Sequence, residues 1–360
     1  MSGMHTAASS SAVTSGRFGW VDNAKGIGII LVLLGHTPIP VEYKLFIYAF
    51  HMPLFFFIGG LFLNMEKPLA VFVKDKIQRL LLPYIAFAGF SYLIWLSIRN
   101  YSAMASAIPA EVPLMGIFYG IGSGNWMPEN TPLWFLPCIF STICLLYFLV
   151  HLPKKFSWVF ILLCSVIGYY LPQWLDFRLP FSMDIALFCM TFTALGYYCR
   201  KYWLNSPPLS WPATMGLMVL WLLSAWFNSG LLHPIHMIDI NNSVFNNYFL
   251  FFIAAISGTL FTVNIAKRLL NLPGLAYVGK HSIGILGLHM LIYLSITVTF
   301  TKLFHFPLTL TYERLSRINP HANPILAIFS YIVPGIVFSL LFIRFYQALK
   351  SNTLNTSSNV

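Results

Sequence analysis

The sequence predicts an all-α fold: a polytopic integral membrane helical bundle of about ten transmembrane helices with both termini in the cytoplasm. Three observations lead there. Hydrophobic residues make up 58% of the 360 and charged residues only 9%, where soluble domains carry about 25% charge, and the mean hydropathy is +0.74. Apolar runs of membrane length, about 17 to 25 residues, recur along almost the whole chain. Finally, the cations sort by side, as the positive-inside rule requires of a multi-pass protein.

The expected spans cover roughly 20 to 37, 44 to 63, 80 to 98, 133 to 150, 157 to 173, 184 to 200, 213 to 231, 247 to 266, 282 to 302 and 324 to 345. With the N-terminus inside, 15 of the 21 Lys and Arg fall in the cytoplasm. They cluster between the second and third spans (Lys67, Lys74, Lys76, Arg79), the fourth and fifth (Lys154, Lys155), the sixth and seventh (Arg200, Lys201), and the eighth and ninth (Lys267, Arg268, Lys280). Only Lys44, Arg99, Arg178, Lys302, Arg314 and Arg317 fall outside, with seven of the ten acidic residues. The formal charge of +11 is therefore accounted for by orientation and anionic lipid, and no nucleic-acid partner is implied.

Residues 1–19 are small and polar and lack the apolar core of a cleaved signal peptide, so a disordered cytoplasmic tail is expected there. Residues 20–346 form the transmembrane domain and 347–360 a cytoplasmic tail, whose last ten residues, SNTLNTSSNV, have the same character as the N-terminal ones. Cys138, Cys144, Cys164, Cys189 and Cys199 lie in or at the ends of spans with no CxxC pair, and no metal site is expected. The longest outer connection, roughly 99 to 132, is too long for a simple turn and is able to fold back over a substrate entrance.

The stretch from Asp22 to Gly60 sinks Lys25, His36 and His51 into apolar sequence of membrane length, and an ionisable residue there is a functional-site hypothesis by default. Lys25 and His36 are eleven residues apart, about three helical turns plus 20°, so both side chains share one face roughly 16 Å apart along the axis. A cation near one surface and an imidazole farther along suit an elongated ligand that is anionic at one end, the shape of an acyl-coenzyme A.

The DxxKG pattern, the ten residues between Lys25 and His36, and the following FHMPLFFFIGG strongly resemble the membrane acyltransferase-3 family of multispan O-acyltransferases. KIQRLLLPY at 76 to 84, PLWFLP at 132 to 137 and VGKHSIGILGLHM at 278 to 290 resemble further segments of that family. The likeness runs over the chain apart from its tails and is closest to the fucose 4-O-acetylase-like branch of sugar acetyltransferases. Gly59 stands where the family usually has serine, so any substrate contact by that hydroxyl is absent here.

The resemblance implies transfer of an acetyl group from cytoplasmic acetyl-CoA to a hydroxyl of a cell-surface sugar or polysaccharide, such as lipopolysaccharide O-antigen, capsule or exopolysaccharide, in a bacterial inner membrane. A sugar hydroxyl needs a base at neutral pH, and histidine supplies one. His36 is the expected base, with a transient acyl-imidazole as the alternative role. His51 is a second catalytic candidate, against plain helix–helix bonding, and Pro53 is expected to kink the second span beside it. Lys25 and Arg79 are the candidate coenzyme A phosphate contacts, against headgroup anchoring for Lys25 and ordinary inside charge for Arg79. Trp134 and Phe135 are candidate acceptor contacts, against an interfacial belt. Glu129 is a candidate to orient a histidine or hold a sugar hydroxyl, against a solvated loop charge. For His289, hydrogen bonding across helices is expected. The rival class is a transporter or flippase of a lipid-linked sugar, which shares the topology but leaves the Lys25–His36 pattern unexplained and would require a repeat that the sequence does not display.

Overall fold

The computed structural model describes residues 18–37, 39–101, 103–229, 237–269, 272–304 and 324–357. The expected N-terminal tail up to residue 17, and Arg314 and Arg317, lie outside the described residues. The helices are α1 (Gly19–Gly35), α2 (Val41–Tyr48), α3 (His51–Leu61), α4 (Leu69–Lys76), α5 (Leu82–Ile98), α6 (Ala103–Ser106), α7 (Glu111–Tyr119) and α8 (Phe135–Val150). They continue as α9 (Lys154–Trp174), α10 (Met183–Tyr198), α11 (Arg200–Asn205), α12 (Trp211–Asn228), α13 (Tyr248–Arg268), α14 (Pro273–Lys280), α15 (Ser282–Phe304) and α16 (Pro324–Ser357). Among the described residues there is no strand, only an isolated bridge between Asp239 and Val244.

Eight stretches of the described residues are long and apolar enough to cross a membrane. The first and seventh expected spans are present as the 17-residue α1 and the 18-residue α12. The chain is thus an all-α, multi-pass membrane bundle. α1 is central and packs against α3, α13, α14, α15 and α16. α9 stands at the periphery and exposes Val159, Leu162, Leu163, Val166 and Ile167, a face that only lipid can cover without penalty.

Three elements differ from the sequence reading. The second span is broken at Ala49–Phe50, ahead of the expected kink, because Phe50 takes non-helical torsions (φ −145°, ψ −18°). Its ring seats in a notch at Gly258, where a Cβ would come within 2.5 Å of the ring, and meets Trp221 edge-on at 4.6 Å. Pro53 then falls in the first turn of α3, where its missing N–H is harmless. The third span begins at Leu69 and runs unbroken to Ile98 through a π-helical segment, Ile77–Leu81. The last helix continues to Ser357, so residues 347 to 357 are helix where a polar tail was expected.

Glycines set the closest approaches. A Cβ on Gly60 would lie 2.0 Å from Thr193 O, and one on Gly196 2.1 Å from Phe57 O, so α3 and α10 meet backbone to backbone, as small residues allow in membranes. A Cβ on Gly279 would lie 1.8 Å from Asp22 O, which fixes α14 against the first turns of α1. Gly59 faces Ile139 of α8, with a Cβ position 3.1 Å from its Cδ1, so the missing serine hydroxyl would have met an apolar neighbour.

Replacing Gly279 with Ala is expected to force α14 off α1 and destabilise the protein by about 1–3 kcal/mol or more. Gly274→Ala in the same helix, where nothing lies within 4 Å, is expected to be neutral. Thermal unfolding of the two purified variants in one detergent measures the difference.

Candidate active site

α1 is unbroken from Lys25 to Gly35 and is capped by His36, so the shared face expected for Lys25 and His36 is present up to the cap. Lys25 is partly accessible and lies in the stretch, Asp22 to Gly26, on which Gly279 of α14 packs. At the other end of the helix, the titratable groups acting on His36 are His289, Lys44 and His51. The His36 and His289 rings are 5.5 Å apart. Tyr48 links the remaining pieces. Its ring lies 5.0 Å from that of His51, packs against Gly35, and its hydroxyl donates to Gly35 O at 3.4 Å.

Three imidazoles from α1, α3 and α15 therefore converge, and they differ in kind. His51 Nδ1 lies 2.8 Å from Ile47 O; His289 Nδ1 lies 2.9 Å from Leu286 O and 3.1 Å from Ile285 O. A carbonyl only accepts, so in both rings Nδ1 carries the proton and Nε2 is left as a lone pair. His51 and His289 are buried, whereas His36 is partly accessible. The expected cross-helix bonding of His289 is thus replaced by bonds within its own helix, which leave Nε2 buried with no partner among the described residues. Below it, Tyr293 packs edge-on at 5.6 Å and donates to Leu33 O at 3.1 Å, tying α15 to α1.

The 99–132 connection folds back on the bundle. Tyr84 donates to Ile117 O at 2.8 Å and Tyr92 to Ala110 O at 3.1 Å. Asn130 reaches between α5 and α15, donating to Ser91 Oγ at 3.0 Å and Gly287 O at 2.8 Å. This inward pinning drags its neighbour with it: Glu129 is only 6% exposed, which corrects the alternative of a solvated loop charge. Neither carboxyl oxygen has a side-chain partner among the described residues, and burial pushes the group up to about 7.

Trp134 and Phe135 are buried in the wall, Phe135 against Phe55 at 5.8 Å and Phe56 at 5.3 Å. Arg79 lies in the π-helical segment with its side chain 73% exposed, its Nε 2.8 Å from Asp75 Oδ1. Sequence reasoning left Lys44 among the outer charges and gave His289 no catalytic place. The signals available for His289 were its depth in the ninth span and its place in the family-like segment VGKHSIGILGLHM.

With the geometry in place, comparison with known families is decisive. The acyltransferase-3 profile, described as an acyltransferase domain, matches residues 18–344. The chain belongs to that family. It is a membrane acyltransferase, and its match spans both the α1 histidine and the late α14–α15 segment that carries His289. No curated protein and no solved structure matches the chain.

A carboxyl raised to about 7 holds its proton in the fold between its unfolded value, near 4.3, and about 7. The associated stability is full below pH 4.3 and is lost as pH rises through 7. Glu129→Gln is therefore expected to flatten the fall in melting temperature between pH 5 and 8 and to raise stability at pH 8 by on the order of 3 kcal/mol. Melting curves of wild type and variant across that range check it.

Proposed function

We propose that this acyltransferase moves an acetyl group from cytoplasmic acetyl-CoA to a hydroxyl of a cell-surface sugar or polysaccharide, with His36 as general base, in the manner of the fucose 4-O-acetylase-like branch. The observation carrying this reading is the convergence of three helices on His36, flanked by two buried imidazoles whose Nε2 lone pairs are set by backbone carbonyls. Lys25, about 16 Å back along the same helix, suits the anionic nucleotide end of the donor while the thioester reaches His36. Arg79 suits the phosphates at the cytoplasmic mouth by virtue of its exposure.

In this scheme the acceptor hydroxyl gives its proton to His36 as its oxygen attacks the thioester carbonyl. The tetrahedral intermediate collapses with cleavage of the C–S bond. The departing sulfur takes the proton from the imidazolium, leaving the O-acetyl sugar and coenzyme A thiol. His51 supports the step as a hydrogen-bond acceptor for a neighbouring hydroxyl of the acceptor sugar. Glu129, buried with unpartnered oxygens, suits a second sugar hydroxyl, and Trp134 and Phe135 brace the wall behind it. A bacterial inner membrane with the N-terminus inside places donor and acceptor on opposite sides. Against a transporter or flippase stands the family membership, which accounts for the histidine pattern that transport leaves idle.

Mass spectrometry of surface polysaccharide from cells lacking the protein, restored with wild type or His36→Ala at equal membrane levels, tests the assignment. O-acetylation is expected to return with wild type and to fall by on the order of 10²–10⁴-fold with the variant. Equal restoration by His36→Ala would move the base to His51, and no acetylation with wild type would remove the surface sugar as acceptor.

A further inference from the structure

The connection between α9 and α10 builds a second polar site. A cavity of about 290 Å3 lies there, floored by Leu171, Pro172 and Leu175 and ringed by Asp176, Arg178 and Asp184. Its volume is near the lower end of small-ligand pockets, about 300–1,000 Å3. Asp184 is only 3% exposed. Its Oδ2 accepts from Arg178 Nε and from Ser243 at 3.5 Å, while Oδ1 is buried with no partner among the described residues. Arg178 donates through one terminal nitrogen to Asn241 O at 2.6 Å and Ser123 Oγ at 3.4 Å, and its other terminal nitrogen is likewise buried without a partner. Buried polar atoms are ordinarily satisfied, and each exception calls for an explanation.

The chemistry of the missing ligand follows from charge. Arg178 is already paired with Asp184, and Asp176 adds a further negative charge, so a phosphate or carboxylate finds no net attraction. A group that both donates to a carboxylate and accepts from a guanidinium, as vicinal hydroxyls do, suits a lining that carries both. At the rim, Phe177, which lines the cavity, is 62% exposed; the nearby Trp174, 64% exposed, stacks on Tyr170 with ring centroids 6.0 Å apart. Lipid alone could cover these rings, but three charged side chains around one cavity require water or polar ligand at the same place. Aromatic faces beside paired hydrogen-bonding groups suit a pyranose, whose ring has one apolar side.

The site is joined to the histidine side of the bundle. Tyr119 donates to Arg178 O at 2.7 Å and Ser182 to Gly120 O at 3.2 Å. Gly122, two residues beyond Gly120, packs against Trp134 and Asn241. We propose that the α9–α10 cavity is a saccharide subsite, separate from the histidines, that takes a neutral, hydroxyl-rich sugar residue of the acceptor chain. Only the phrase acceptor chain rests on the function proposed above; the binding itself does not.

The test is saturation-transfer NMR on purified full-length protein in nanodiscs, without acetyl-CoA, using methyl β-D-galactopyranoside, methyl α-D-glucopyranoside and glucose 6-phosphate. Saturable binding of at least one neutral glycoside is expected, weaker binding of the phosphate, and no change in His36→Ala. Phe177→Ala, which removes an exposed ring of the lining, and Leu175→Trp, which fills the floor, are each expected to weaken binding at least tenfold. No saturable binding of either glycoside, undiminished binding in both variants, or preference for the phosphate would overturn the proposal. So would loss of binding in His36→Ala with retention in Phe177→Ala, which would place the sugar among the histidines. Because no acyl donor is present, the result stands or falls independently of whether surface acetylation is found.

Discussion

An imidazole cannot sit in a dry bundle with its N–H unanswered, and the architecture around His36 depends on how that demand is met. His51 and His289 each bond a backbone carbonyl within one turn before them, the nearest acceptor available when water is excluded. The solution is local, so it needs no partner from another helix. It also settles the tautomer, because the ring nitrogen facing the backbone must be the donor. Both rings consequently turn a basic nitrogen away from their own helices. For His289 that leaves an edge next to His36 with its Nε2 unclaimed among the described residues.

Bringing those rings together is the work of small residues. α14 lies on α1 because Gly279 admits Asp22 O where a side chain would stand. α15 follows directly and is held by Tyr293 on Leu33 O and by Asn130 on Gly287 O. α3 is fixed from its other side through Gly60 and Gly196. Close backbone contact substitutes for the hydrophobic drive that soluble cores use and that lipid abolishes.

Much of this was legible in the sequence, for reasons that can be named. Hydrocarbon demands helices of a fixed length, so the spans could be read from apolar runs. The phase between Lys25 and His36 held because nothing interrupts α1 between them. What stayed hidden depended on partners distant in the chain. The break at Phe50 needs Gly258 and Trp221; the pairing of His289 with His36 needs the Gly279 contact; the burial of Glu129 needs Asn130 to reach Ser91 and Gly287. Glu129 sits in a Gly-, Asn- and Pro-rich segment whose composition reads as solvent-facing, and composition carries no record of such long-range bonds. Arg79 read as a cluster member, yet its nearest anion is Asp75, one turn away.

The broken second span has a bearing on biogenesis. Residues Val41–Leu61 are apolar enough to enter the bilayer as one continuous helix of 21 residues, and nothing within the segment itself forces a break beyond the mild local effect of Pro53. The notch that receives Phe50 belongs to α13, some two hundred residues downstream, and is created only when that helix has been synthesised and has docked. His51 therefore reaches its final position late, after most of the polypeptide has left the ribosome. A chain that ends before α13 lacks that notch and would carry His51 in a straight helix, so the break ahead of His51 is a property of the finished fold.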